Sequence, residues 1–436
     1  MQSGIFFVSR RVKIDRRFLR LNQVSGPLLN AIWISFFVVA FVIALIKSFA
    51  YGETEIFNDL MRSTFEMSKT GFDISLGLTG VLTLWLGILK IGEHCGFVTW
   101  IARAIEPLCR RLAPEIPPGH PAMGAIVMNM AANVMGLDNA ATPIGIRAMK
   151  ALQELNPNKS VATDAQILFL VLNTSSVTLF PIAIFTYRAQ MGASNSTDVF
   201  LPILLSTYVS TLAGLITVAL VQKINLIDRV IFAYLGGLTL IVGLIVYYFS
   251  TLERSEMLEQ SSLISNIALF GVIIAFLMGS ISKRVNAYEA FIEGAREGFQ
   301  TAIMIIPYLI AMLVAIGVFR SSGALDLIVH WLRSGLDHFA LDTRFVDALP
   351  TALMKPLSGS GARAMMVETM HHAGSDSFVG RLVCIVQGST ETTFYVLSIY
   401  FGSVGIKNIR HALGCGLAAD FAGILAAILS GYWFFG

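Results

Sequence analysis

The stretch CIVQGSTETTFYVLSIY (384–400) has the length and flanks of a membrane-spanning helix but a polar middle: residues 387–393 read Gln, Gly, Ser, Thr, Glu, Thr, Thr. Inside a bilayer the backbone must satisfy its own hydrogen bonds, so a polar or unwound interruption is tolerated only against protein or a water-filled cavity. A carboxylate at that depth, here Glu391, is costly and marks a functional group by default. The stretch therefore predicts a helix broken at depth, and it raises the question of what the break faces.

A second polar-centred run, LVLNTSSVTLFPIAIF (170–185), answers to the first. Setting Asn173 against Gln387 aligns Ser175 with Ser389, Ser176 with Thr390, Thr178 with Thr392 and Phe180 with Phe394; Glu391 alone falls opposite an apolar residue, Val177. The correspondence extends outward. TGVLTLWLGILKIGEHCGF (79–97) and TAIMIIPYLIAMLVAIGVF (301–319) each lead into an amphipathic segment, WIARAIEPLCRRL (100–112) and LDLIVHWLRSGL (325–336). Each half then reaches a Gly- or Pro-rich break: GLDNAATPIG (136–145) between short segments 122–135 and 144–152, and KPLSGSGA (355–362) between 346–354 and 363–372. Such flanks are too short to cross a bilayer and suit the arms of a re-entrant hairpin.

Of the 436 residues 55% are hydrophobic and only 14% charged, against about 25% charged in soluble domains. Apolar stretches near the roughly 20 residues of a span recur at 28–49, 74–91, 201–221, 230–250, 263–282, 299–318 and 412–435. The expected fold is an all-α integral membrane protein with inverted repeats, since barrel strands alternate in polarity instead. The net charge of +3 comes from scattered bases, which leaves no basic stripe for a nucleic acid. Arg10, Arg11, Lys13, Arg16, Arg17 and Arg20 against the lone Asp15 place the N-terminus in the cytoplasm. The following apolar segment is long enough to span and lacks a small-residue cleavage site, so no cleavable signal peptide is expected.

Tracing the chain from there makes the C-terminus external, starts the second half from the opposite face, and puts the acidic loop TLERSEMLEQSS (251–262) outside. The expected divisions are a basic segment 1–27, a first repeat 28–227, a connecting helix and loop 228–262 and a second repeat 263–436, in a bacterial inner membrane. Cys95, Cys109, Cys384 and Cys415 form no metal-type spacing and read as packing residues, as do Met123, Met128, Met130 and Met135. In GEHCG (92–96) the adjacent side chains point different ways, which argues against a shared metal.

Hairpin tips and broken helices in inverted halves suit a solute site at the membrane midplane, where freed N–H groups and helix N-termini meet the solute and freed carbonyls hold a cation. Candidate solute ligands in the first half are Asn139, Asn173 and Ser175. In the second half they are Ser358, Ser360, Gln387, Ser389, Thr390, Glu391 and Thr392, neutral oxygen and amide donors around one acid. Candidate ion or proton carriers are Thr142, Ser176, Asp420 and Glu391, with Na⁺ or H⁺ as the coupling ion and no cofactor or metal. Glu391 has a structural alternative as a protonated or Arg-paired acid that fixes packing, and Asp420 has one as a structural partner for Arg or His. Asp138 and Arg363 stand at the tips as gate candidates or solvated residues, and Glu368, His371 and His372 fall on an outer arm.

MNMAANVMGLDNAATPIGIRAMKALQELNP (128–157) with LNTSSVTLFP resembles the spore maturation protein A family. KPLSGSGARAMM with FVGRLVCIVQGSTETTFYVLSIYFGSVGIKNIRHAL (378–413) resembles the spore maturation protein B family, as in a fusion of the two. Both belong to the nucleoside recognition (Gate) group, similar in core to concentrative nucleoside transporters and to the bacterial ferrous iron transporter. That resemblance implies a scaffold and a moving transport unit, with GLDNAATP and PLSGSG at the tips and NTSS and QGSTETT at the broken helices. Asp138 departs from the Gly of the family pattern. No P-loop is present, so a GTPase half is not expected.

The function expected is an ion-coupled secondary transporter, elevator-type, of a small polar, nucleoside-like solute, with room for a homo-oligomer. The alternative is a non-transporting component of an envelope or maturation complex. An intramembrane enzyme is disfavoured: HExxH and GxSxG are missing and Ser360 has no evident base.

Overall fold

The computed structural model describes residues 25–136, 138–175, 178–337 and 342–436, with the backbone alone for 25–29, 138–140 and 336–337. The basic run of the first 24 residues, the Ser176 and Val177 pair, and the side chains of Asp138 and Asn139 lie outside the described residues.

Every element named among the described residues is helical, as a chain that must close its hydrogen bonds within each span requires. The first series comprises α1 (Ser25–Tyr51), α2 (Ile56–His94), the amphipathic α3 (Phe97–Leu112), the short pair α4 (Pro121–Val134) and α5 (Asp138–Leu155), the interrupted pair α6 (Asp164–Ser175) and α7 (Ile182–Gln190), and α8 (Phe200–Gln222). α9 (Arg229–Ser250) and α10 (Arg254–Lys283) lead to the second series. That series runs α11 (Ala287–Ser321), the amphipathic α12 (Ala324–Asp337), a 3-10 turn at Arg344–Ala348 continuing into α13 (Leu349–Met354), α14 (Gly359–Ala373), the interrupted pair α15 (Phe378–Ser389) and α16 (Thr393–Val404), and α17 (Ala412–Phe435). Among the described residues eight stretches are long and apolar enough to cross a membrane: α1, α2, α8, α9, α10, α11, α15 with α16, and α17. Side chains such as Phe232, Leu240 and Leu244 on α9 stand outward and exposed, a surface suited to lipid.

Several elements outrun the apolar patterns that predicted them. α2 has 39 residues, about 58 Å at 1.5 Å per residue, because Ile56, Leu60, Ser63, Gly71 and Ile74 keep the helical spacing of buried positions upstream of residue 74. The acidic loop expected over 251–262 is helical from Arg254 onward; Glu256 in the first turn favours the start of α10. The second tip arm starts at Gly359, four residues earlier than the pattern at 363–372, because the Ser358 hydroxyl accepts the Gly361 N–H at 3.0 Å as an N-cap.

α2 and α11 lie side by side along most of their lengths. A Cβ at Gly294 would come within 2.3 Å of the Leu86 carbonyl oxygen and one at Gly298 within 2.7 Å of the Leu82 oxygen, so only glycine permits this approach. Beside that seam Lys90 is held by Glu93, Glu293 and Glu297 at 3.2–3.4 Å.

The interrupted helices are shared between two apolar clusters. α4, α5 and α6 pack with Val396, Leu397, Tyr400 and Phe401 of α16. α7 and the start of α8 pack with α13, α14 and α15. Each broken helix thus contributes one half to the cluster of its own tip pair and the other half to the opposite cluster.

Candidate functional site

At the first break α6 ends at Ser175 and α7 starts after Pro181; at the second α15 ends at Ser389 and α16 starts at Thr393. Thr390 is fully extended (φ −148°, ψ 172°) and Thr392 is also non-helical (φ −85°, ψ 99°). Backbone groups freed by the breaks find partners across the molecule. The Leu179 N–H donates to the Val134 carbonyl at the end of α4 (3.0 Å), and the Phe394 N–H donates to the Pro356 carbonyl ahead of α14 (3.1 Å). The breaks also join each other: the Glu391 N–H donates to the Thr174 carbonyl at 2.7 Å.

On one side of that junction lies an amide cluster. Asn173, 4% exposed, accepts at Oδ1 from Asn133 Nδ2 (2.9 Å) and from the Tyr400 hydroxyl (3.1 Å), and donates to the Phe169 carbonyl (2.8 Å). Asn129 donates to the Ala141 carbonyl at 2.8 Å. The Tyr400 ring stacks on Phe169, and a Cβ at Gly145 would lie 2.3 Å from its hydroxyl, so the α5 backbone passes directly over it. Asn129, Asn133 and Tyr400 were not among the residues read from the sequence; Asn129 and Asn133, four apart on one helix, gave a periodic signal, whereas Tyr400 sits in an apolar run.

On the other side lies Asp420, 1% exposed. Its Oδ2 accepts the Thr393 hydroxyl at 2.6 Å, and Thr390 stands beside the same carboxylate. Lys355, also buried, and Glu391 act on Asp420 with opposite charge. Asp420 Oδ1, Thr174 Oγ1, Thr392 Oγ1 and Gln387 Oε1 are buried without a hydrogen-bond partner among the described residues.

Other sequence-derived candidates divide accordingly. Ser389 and Ser175 are buried, with hydroxyls directed to the Val386 and Leu172 carbonyls of their own helices at 2.9 and 3.4 Å. Thr390 Oγ1 reaches the Glu391 carbonyl at 3.2 Å, and Glu391 Oε2 accepts the Thr392 N–H at 3.3 Å. Ser358 and Ser360 pair at 3.3 Å on the second tip. Thr142 is half-buried on α5 and shares no hydrogen bond with the other candidates among the described residues. Asn139 contributes only backbone to the described structure, and Ser176 lies outside it. Arg363 lies against the hydroxyl of buried Tyr187. Glu368 is 5% exposed and is ion-paired with Arg320 of α11, whose Nη2 donates to Oε2 at 2.8 Å, while His371 and His372 are exposed.

Both ends of the core are tied by charges. Fully buried Arg188, past the middle of α7, pairs with Asp198 (2.8 Å) and Asp376 (3.3 Å) and donates to the Ser375 carbonyl (2.8 Å), while Arg381 pairs with Asp198 at 2.7 Å. Near the start of α6, Arg410 pairs with Asp164 at 2.7 Å, and the Ala162 N–H donates to the Asn408 carbonyl at 2.9 Å. The four cysteines are buried, and no cluster of metal-type ligands occurs among the described residues.

Long apolar helices around two polar helix breaks define a multi-pass membrane protein with a polar core. The chain belongs to the nucleoside recognition (Gate) family, whose model matches residues 75–194 and 302–407. It is 47% identical to spore maturation protein B of Bacillus subtilis (strain 168) over 38% of this chain and 91% of that protein. It is 38% identical to spore maturation protein A of the same organism over 43% of this chain and 93% of that protein. Each relative covers part of the chain, consistent with a fusion of the two. No solved structure matches.

Proposed function

We propose that the protein is an ion-coupled secondary transporter of a small polar organic solute, nucleoside-like in its hydroxyls and amides. The observation that carries this is the junction of the two breaks, where the Glu391 N–H meets the Thr174 carbonyl between the Asn173 and Asp420 groups. Broken helices joined at their centres are the construction that places solute and coupling ion together in secondary transporters. Gln387, Thr392, Glu391 and Asn173 are the solute ligands of this proposal, with Ser358, Ser360 and Asn139 at the tips. Asp420, Glu391, Thr142 and Ser176 are its coupling candidates.

Inverted repeats, re-entrant tips and an elevator motion belong to the same proposal. Support comes from the matching order of elements in the two series, and from tip pairs held to their breaks by equivalent bonds, Leu179 to Val134 and Phe394 to Pro356. The α2–α11 pair would be the static part. An inner-membrane location with a cytoplasmic N-terminus and an external C-terminus completes the topology, which requires the interrupted pair α6 and α7 to cross as a ninth passage beside the eight long apolar stretches.

Uptake of labelled nucleosides and related polar solutes into proteoliposomes with imposed Na⁺ or proton gradients tests the proposal: gradient-dependent accumulation of at least one solute is expected. Intact protein giving no such flux for any of them would favour the second reading, a non-transporting component of a maturation complex, for which the names of the relatives speak.

A further inference from the structure

Asp420 sits on α17 between Gly416 and Gly423, four residues before and three after it, so all three share a face of the helix. A Cβ at Gly416 would come within 2.9 Å of Thr393 Cγ2, with Thr174 Cγ2 at 3.6 Å; one at Gly423 would come within 2.5 Å of Thr390 Cγ2 and 2.9 Å of Ser210 Cβ. The two glycines therefore let side chains from α6, α8, α16 and the second break pack closely on the face of α17 that carries Asp420, where the Thr393 hydroxyl reaches its carboxylate. All of them are buried: Thr174, Ser210 and Thr393 at 0% exposure and Thr390 at 3%.

Two oxygens in this enclosure have no hydrogen-bond partner among the described residues, Asp420 Oδ1 and Thr174 Oγ1. The charges of Lys355 and Glu391 act on Asp420 in opposite senses and Oδ1 still lacks a hydrogen bond; a buried carboxylate oxygen left so is costly in a membrane core, and a bound cation compensates it directly. α6 and α15, twelve residues each, both end here, so the carbonyl-rich, partially negative ends of two helices face the same place. Oxygen-only donors with one carboxylate suit a hard cation of single charge. A divalent ion generally draws more carboxylates, and softer metals draw His or Cys; neither accompanies Asp420, and no such cluster occurs among the described residues.

We infer that Asp420, Thr393, Thr390 and Thr174 form a site for a monovalent cation of the Na⁺ class, behind the second break. The assignment deepens the transport proposal and rests on it only for the consequence drawn next. A cation held by Thr390 and Thr393 fixes the extended segment between them, which carries Glu391 and Thr392 on the solute side. Cation occupancy thereby shapes the solute site, and each ligand strengthens the other's binding.

The test needs no solute. Purified protein in detergent is melted across a Na⁺ titration at constant ionic strength, with K⁺ and choline as replacement ions. A saturable, Na⁺-specific rise in Tm is expected in the wild type, lost in Asp420→Asn and weakened at least tenfold in apparent affinity in Thr393→Val. Thr174→Val, which removes an unpartnered hydroxyl at nearly constant volume, is expected to weaken it likewise and keeps the test alive if Asp420→Asn does not fold. The site is overturned by a wild type whose Tm ignores Na⁺, by a Na⁺ shift that survives Asp420→Asn, or by stabilisation that follows proton rather than Na⁺ concentration. A Na⁺ shift that depends on these residues, in protein that moves no solute, would sink the transport proposal and leave the cation site standing.

Discussion

Glu391 occupies the N-terminal approach to α16, where its Oε2 takes the Thr392 N–H and its charge meets the positive end of the helix. Its own N–H is committed to Thr174, so the backbone holds the break whatever side chain stands there. Glu391→Val, which copies the Val177 of the first break, is therefore expected to fold at a cost of about 1 kcal/mol for the lost hydrogen bond to the Thr392 N–H. Uptake should fall at least tenfold; retained uptake would reduce Glu391 to packing. Asn173 behaves oppositely, because its oxygen serves two buried donors. Asn173→Ala strands the Asn133 amide and the Tyr400 hydroxyl, costing about 1–3 kcal/mol per unsatisfied group. Tyr400→Phe removes one donor and leaves Asn173 satisfied by Asn133, so its melting shift should be clearly the smaller; equal shifts would mean that Asn173 does not anchor the cluster.

The elements explain why one part of the site was legible in the sequence and another was not. Both breaks and both pairs of short helices announce themselves locally, as polar or Gly-rich runs inside apolar ones, and the starts of α14 and α15 follow from the caps Ser358 and Ser377. The exchange of half-helices does not: Tyr400 and Thr393 join partners in distant segments, and in sequence they look like ordinary lining of an apolar helix. The same exchange sets the ties at the helix ends, where the loop before α15 is clamped by Arg188 from α7. On that loop burial pushes the Asp376 carboxyl up, but the N–H and hydroxyl of Ser194 and the charges of Arg381 and Arg188 outweigh it and hold the group below its ordinary value. A carboxyl depressed in the folded state stabilises above the unfolded value, near pH 4, and that contribution disappears as pH falls through the folded value. Melting temperature is accordingly expected to drop below about pH 4, with a shallower drop in Asp376→Asn, which starts lower. Parallel pH curves for the two proteins would remove Asp376 from the clamp.

At the scale of the molecule, the α2–α11 seam packs through apolar side chains against the helices around the two breaks, and the Arg320–Glu368 pair adds an ionic bond between them. It joins the end of α11 to α14, the helix that follows the second tip. If solute moves by sliding the core against the seam, this pair must open in each cycle, since a hydrogen-bonded ion pair holds only over a narrow range of distances. Replacing Arg320 and Glu368 with cysteine, in a background where Cys95, Cys109, Cys384 and Cys415 are changed to Ala or Ser, allows the same contact to be locked by a short bifunctional thiol reagent. The locked protein is expected to lose gradient-driven uptake and to regain it when a cleavable linker is reduced, while its Na⁺-dependent melting shift persists because the Asp420 enclosure lies wholly within the core. Full uptake in the cross-linked state would mean that α11 and α14 keep their contact throughout the cycle. The moving boundary would then have to lie elsewhere, as with tips that open while the rest of the core stays fixed on α2 and α11.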